Sequence, residues 1–143
     1  MSANILKTIV DRIAVDLANI DSSSGFNNTI KSSNIKKKFV PIDEAGSFPS
    51  IYISSARSDK STQTDQVTYD VPVTIEVFGY AKDISNPLSN ALDLASDMEK
   101  AFYDDETLNG NVRELSLVFE IASMDDYGVV LTTLSAIANY FVS

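Results

Sequence analysis

The sequence predicts an α+β fold: a mainly antiparallel sheet with two α-helices packed on one of its faces. Three observations lead there. Two segments carry the 3–4 residue apolar period of helices, and at least four others alternate apolar and polar residues as strands do. The order of the segments is α, several β, α, β, β, without the regular alternation of a parallel α/β sheet. Two helices are too few to cover both faces of such a sheet, so one face is left to solvent or to another chain. The 143 residues are expected to form a single domain, 1–143, with no linker or repeat.

The first helix is expected within "SANILKTIVDRIAVDLANIDSSSG". Leu6, Ile9, Val10, Ile13, Leu17 and Ile20 line one face, and Lys7, Asp11, Arg12 and Asp16 lie opposite. Residues 26–47 carry one or two short strands around Ile30, Ile35, Phe39 and Val40. "FPSIYISSA" gives a strand around Ser50–Ser54, and the polar stretch "SSARSDKSTQTDQ" reads as a long loop. A long strand follows from Val67 to about Ala81, "VTYDVPVTIEVFGYA". Its odd positions, Val67 to Val77, belong to the core, and its even positions, Pro72, Phe78 and Tyr80 included, face outward. Pro72 has no N–H to give a ladder, so it places its segment at a sheet edge or a bulge.

The second helix opens with Asn86 as N-cap and Pro87 at N1, with Leu88, Ala91, Leu92, Ala95, Met98 and Phe102 as its buried stripe. "DDETLNGN" ends it. A strand over Arg113–Ala122 points Leu115, Leu117, Phe119 and Ile121 away from Glu114, Ser116 and Glu120. The last strand, "VVLTTLSAIANYFV", is apolar on both faces, which a strand with one face on a core does not require.

Composition excludes several chemistries. With neither cysteine nor histidine, the chain cannot build a disulfide, a thiolate nucleophile or a Ser–His–Asp triad. It has no phosphate-binding glycine motif, and the acidic run from Asp105 meets Ser116 where a calcium loop needs its closing glutamate. No catalytic residue, cofactor site or metal site is expected, and the chain is not expected to be an enzyme. The net charge of −9 disfavours long-range attraction to nucleic acid. That charge is unevenly spread. From Ile84 onward there are two basic residues against ten acidic ones, whereas the first 83 residues hold nine against ten. The N-terminus has no uninterrupted signal-peptide core, and no apolar run approaches the roughly 18 residues that cross a bilayer. A cytoplasmic protein without a membrane partner is expected.

The candidate contact residues are therefore surface ones. Lys36, Lys37 and Lys38 form the one basic concentration, fit either to blunt an edge strand or to meet an acidic patch on a neighbouring copy. Arg57 and Lys60 lie in the polar stretch after the "IYIS" strand. Pro72, Phe78 and Tyr80 share the outer strand face, and Asp125 and Asp126 sit in the turn before the last strand. On this reading a charge at Tyr80 spares the fold and damages assembly.

The succession "FPSIYI", "VTYDVPVTIEVFGYAKD", "ALDLASDMEKAFYDDETLNGNV" and "RELSLVFEI", ended by the long last strand, resembles the tail terminator (tail-completion) proteins of long-tailed bacteriophages, the lambda-like group. The aromatic–Gly–aromatic strand end "FGYA", followed by a helix and then "DDETLNGNV", carries most of the likeness. The resemblance implies a subunit of a ring, usually of six copies. Such a ring caps the head-proximal end of the tail tube, stops tail growth and offers the docking surface for the head. It implies as partners further copies of itself, the tail tube protein and a neck or connector protein, with a sheath protein added if the tail is contractile. DNA would be cargo passing through the lumen, which acidic residues such as Asp125 and Asp126 keep from sticking, so their reversal to lysine would impede DNA passage. The implied location is the virion, with the host cytoplasm during assembly. A tail-tube or head–tail joining subunit of the same architecture, or a cytoplasmic acidic interaction module, are the competing readings.

Overall fold

In the computed structural model, residues 2–38, 40–41, 44, 48–58, 62–63, 69–82, 85–112, 114–123 and 129–142 are described. Helix α1 (Ser2–Ala18) forms where the apolar period predicts it. Ile9, Ile13 and Leu17, with Ile20 just beyond, are fully buried, and Leu6 and Val10 pack at the margin of the same core. Burying each of these aliphatic side chains contributes about 1.5–3 kcal/mol.

Helix α2 (Pro87–Tyr103) starts as expected, with Asn86 as N-cap and Pro87 in its first turn. Its buried stripe is rotated from the predicted one. Ala91, Leu94, Ala95, Met98, Ala101 and Phe102 face inward, whereas Leu88 and Leu92 are more than half exposed. The reason is close approach. A Cβ placed on Gly79 would come within 2.9 Å of Leu94 Cδ2, so the helix lies on the sheet through its small residues and through the gap that the glycine leaves.

The sheet contains β1 (Ile35–Lys36), β2 (Ser50–Ser58), β3 (Thr62–Gln63), β4 (Tyr69–Lys82), β5 (Glu114–Ser123) and β6 (Val129–Val142). The order is β1-β2-β4-β6-β5, with β3 also on β4. β1 runs parallel to β2, and the remaining pairs are antiparallel. The chain leaves β4 through α2, enters at the β5 edge, and returns as β6 between β4 and β5. Paired residues share a face. Val77, Leu134 and Phe119 therefore line one row beneath the helices, as Ile75, Ala136 and Leu117 do. Val73, Ile75, Val77 and Leu134 are buried in one cluster with α1 and α2, so both helices cover the same face and the α+β architecture stands as predicted.

β4 is an interior strand, not an edge. It pairs with β6 along its whole length. On its other side β2 covers Val73 to Tyr80 and β3 covers Tyr69 and Asp70. Pro72 falls in the interval between the two partners, where neither described ladder needs an N–H from it. The edge expectation is thus corrected, while the rule behind it holds: the proline sits where the sheet is interrupted. The predicted long loop after Ser54 is likewise largely strand, because β2 continues to Ser58.

The turn from α2 to β5 takes three residues in succession through positive φ, Leu108 (48°), Asn109 (60°) and Gly110 (83°). Such backbone costs about 1–2 kcal/mol at a leucine. Complete burial of the Leu108 side chain offsets that cost and pins the turn to the core.

Candidate functional site

The face opposite the helices carries Thr74, Glu76, Phe78 and Tyr80 of β4, and by register Ser116, Val118 and Glu120 of β5. Its two ends differ. At the β2 end, Tyr52 stacks on Phe78 with ring centroids 5.0 Å apart, and Tyr80 tilts against Tyr52 at 5.6 Å. Val40 and Phe48 pack on this cluster, and the Tyr80 hydroxyl donates to the Val40 carbonyl at 2.9 Å. Lys82 Nζ lies 5.6 Å from the centre of the Phe48 ring. Burial, together with the neighbouring Tyr80 hydroxyl, pushes the Tyr52 phenol above its usual range.

The expectation that Tyr80 is an exposed contact residue is corrected by this arrangement. Tyr80 is 2% exposed, covered by side chains that the chain itself supplies from around residues 40 and 48. Phe78 is half-buried beneath the same cover. Alternation placed both rings on the correct face; what lies on that face came from a segment with no period of its own. Toward β5 the face is open, and Val118 and Ile137, diagonal neighbours across the β5–β6 ladder, are 56% and 38% exposed.

The other candidates are scattered. Lys36 lies on β1 beside Tyr52 in register, hence on the open face, and is exposed, as is Lys38. Lys37 turns the other way and pairs with Asp11 of α1. This pair closes one end of a groove of about 340 Å³ lined by Ala14, Val15, Ala18 and Ile35. Arg57 stands opposite Thr74 in the β2–β4 ladder, which puts its position on the open face, and Pro72 stands opposite Asn139. Lys60, Asp125 and Asp126 lie outside the described residues.

Two buried carboxylates escaped the sequence reading. Asp97, placed by α2 against the core, accepts from the backbone N–H groups of Asn27 (2.7 Å) and Asn28 (2.8 Å) and from Asn28 Nδ2 (2.8 Å). It fastens the segment after α1 onto α2. Asp16, which helical period assigned to the outer face of α1, is only 5% exposed and meets Asp105 and Arg12. Arg12 Nε lies 2.7 Å from Asp105 Oδ2 and 3.4 Å from Asp16 Oδ1, and Asp16 Oδ2 has no donor among the described residues.

Burial, then the adjoining Asp105 carboxyl, pushes Asp16 up to about 7 against the opposing pull of Arg12. Burial raises the Asp105 carboxyl too, but its bonds with Asp16, Arg12 and the Asn109 N–H outweigh this and hold it below the usual range. Two carboxyls in reach of each other bond only when one keeps its proton. The folded chain thus binds that proton more tightly than the unfolded chain does. Stability should fall as pH rises from about 4 to about 7, and then level off. Asp16→Asn should flatten this slope and leave the variant more stable than the parent near pH 8, by an amount of the order of 2 kcal/mol. Urea midpoints taken across that range check it.

Neither described cavity reaches the Asp16–Asp105 pair; they are lined from α1, β1 and β2. Among the described residues there is no group of three or more metal-ligating side chains, and no helix is long and apolar enough to cross a membrane. No protein-family model matches the chain, and no curated protein matches it.

Proposed function

We propose that the chain is a structural assembly protein of a long-tailed bacteriophage, a tail terminator whose copies form a sixfold ring on the head-proximal end of the tail tube. The observation that carries this reading is the one-sided sheet. Both helices lie on one face, and toward β5 and β6 the other face exposes Val118 and Ile137 among polar neighbours. A subunit that completes its surface on other copies has use for such a face. The ordered resemblance of the segments from "FPSIYI" to "RELSLVFEI" gives the reading its direction.

In this role the ring docks on the last ring of the tail tube protein and presents its far side to a neck or connector protein, within the virion. Where the tail is contractile, a sheath protein shares the outer surface, and DNA passes through the lumen as cargo. Size-exclusion chromatography with light scattering, followed by negative-stain images with and without purified tail tubes, tests the reading. Rings that cap tubes and stop further growth are the expected result. A chain that stays monomeric at high concentration and never docks on a tube end would sink it, and a chain that itself extends into tubes would make it a tube subunit instead.

A further inference from the structure

The charge division along the sequence becomes a lateral division in the fold. β1 and β5 are the two outer strands of the sheet, with α1 lying over the β1–β2 side and α2 over the β4–β6–β5 side. The basic first part of the chain therefore supplies one edge, where Lys31, Lys36 and Lys38 are exposed. The acidic second part supplies the other. On and around it Asp93, Glu99, Asp104, Glu106 and Glu120 are exposed, and Lys100, the exposed base of α2, is occupied by Asp104 and by the Phe26 ring.

The β5 edge is also geometrically unfinished. β5 is ten residues long and pairs only with β6 among the described strands, so its outer side presents a row of ladder groups without a strand partner. Glu114 and Glu120 lie on the open face by register, opposite Asn139 and Thr133 of β6. Two β5 edges would set like charges against each other, which opposes a symmetric contact. Lys36 at the far edge belongs to that same open face. An edge-to-edge contact that continues the sheet therefore brings lysine beside glutamate on one surface.

We propose that copies of this chain associate head to tail, the lysine-bearing β1 edge of one copy against the glutamate-bearing β5 edge of the next. A contact between two different patches of one subunit generates a ring when its rotation closes and a filament when it does not. The contact itself follows from the edges, and only its closure into a ring rests on the terminator reading.

Two double variants test it, Lys36→Glu with Lys38→Glu and Glu114→Lys with Glu120→Lys. The first has two acidic edges and the second two basic ones. Each alone should self-associate at least about tenfold more weakly than the parent in sedimentation velocity at about 0.05 M salt. Mixed one to one, they should regain assemblies of the parent's size, and about 0.5 M salt should weaken parent and mixture alike. From the parent's −9 the variants carry net charges of −13 and −5, each reversal changing the charge by two. Overall charge therefore repels them, and only the local edges can bring them together. Circular dichroism checks that each variant is folded. Parent-like assembly by either variant alone, or a mixture that does not recover, overturns the edge contact. If the parent nevertheless forms rings, the terminator reading survives that failure. If parent and mixture both stay monomeric at low salt the edge contact is overturned, and docking on tubes decides the terminator reading separately.

Discussion

Replacing Tyr80 with glutamate should destabilise the fold by about 4 kcal/mol or more, enough to abolish cooperative unfolding in a domain of ordinary stability. The ring is 2% exposed, wedged against Tyr52 and beneath Val40 and Phe48, so a carboxylate there loses the packing and is buried without a cation. Tyr80→Phe isolates the hydroxyl. It keeps the ring contacts, removes the 2.9 Å bond to the Val40 carbonyl, and should cost about 1–2 kcal/mol. Urea unfolding followed by tyrosine fluorescence measures both. A stable Tyr80→Glu variant would mean that the segment from residue 40 to residue 48 does not hold the ring in solution.

The second large effect is expected at Asp97. Its carboxylate satisfies three donors of Asn27 and Asn28 at 2.7–2.8 Å, some seventy residues earlier in the chain. Asp97→Ala leaves those donors without an acceptor beside a buried helix face and should cost about 3–5 kcal/mol, since charge-assisted bonds are the stronger kind. Asp97→Asn keeps the shape and one acceptor oxygen, and should cost about half as much. Hydrogen exchange at the Asn27 and Asn28 amides gives a local readout. Protection there should collapse in Asp97→Ala at temperatures where the strands of the sheet remain protected.

These two residues also mark what could be read from the sequence alone. The α1 stripe was legible because its buried positions are large aliphatic residues at strict helical spacing. The α2 stripe was not, because its buried face uses Ala91, Ala95 and Ala101, while Leu88 and Leu92 stand in solvent. Size at the right spacing pointed one way, and close approach over Gly79 settled it the other way. In β4 the alternation gave the correct faces, since the period of two follows from backbone geometry. It could not show that Tyr80 has a cover, because the covering residues follow no period. Asp16 and Asp97 were invisible for a related reason. A carboxylate is buried only where partners meet it, and the residues around these two, Asp105 with Arg12 and Asn27 with Asn28, are brought in by tertiary structure. Of the contact candidates, Lys36 and Lys38 remain on the surface, Lys37 is held by Asp11, and Phe78 and Tyr80 belong to the interior of this one chain.

The interrupted partner of β4 has a mechanical consequence. From Ser50 to Gln63 the β2–β3 side takes thirteen steps, while β4 takes eleven from Tyr80 to Tyr69. One surplus residue enters at Ser54 and the other between Ser58 and Thr62, beside Pro72. At about 3.3 Å per residue the outer path is longer by roughly 7 Å. Adjacent strands of unequal length cannot both stay straight. The surplus is taken up by curling the sheet, with the longer path on the outside of the bend and the local twist increased at each insertion. Because the second insertion falls beside the residue that lacks an amide hydrogen, the curl is concentrated where it breaks the fewest ladder bonds. Pro72 thus acts less as an interruption than as a crease, the line along which the far end of a fourteen-residue strand leaves the plane set by the helices.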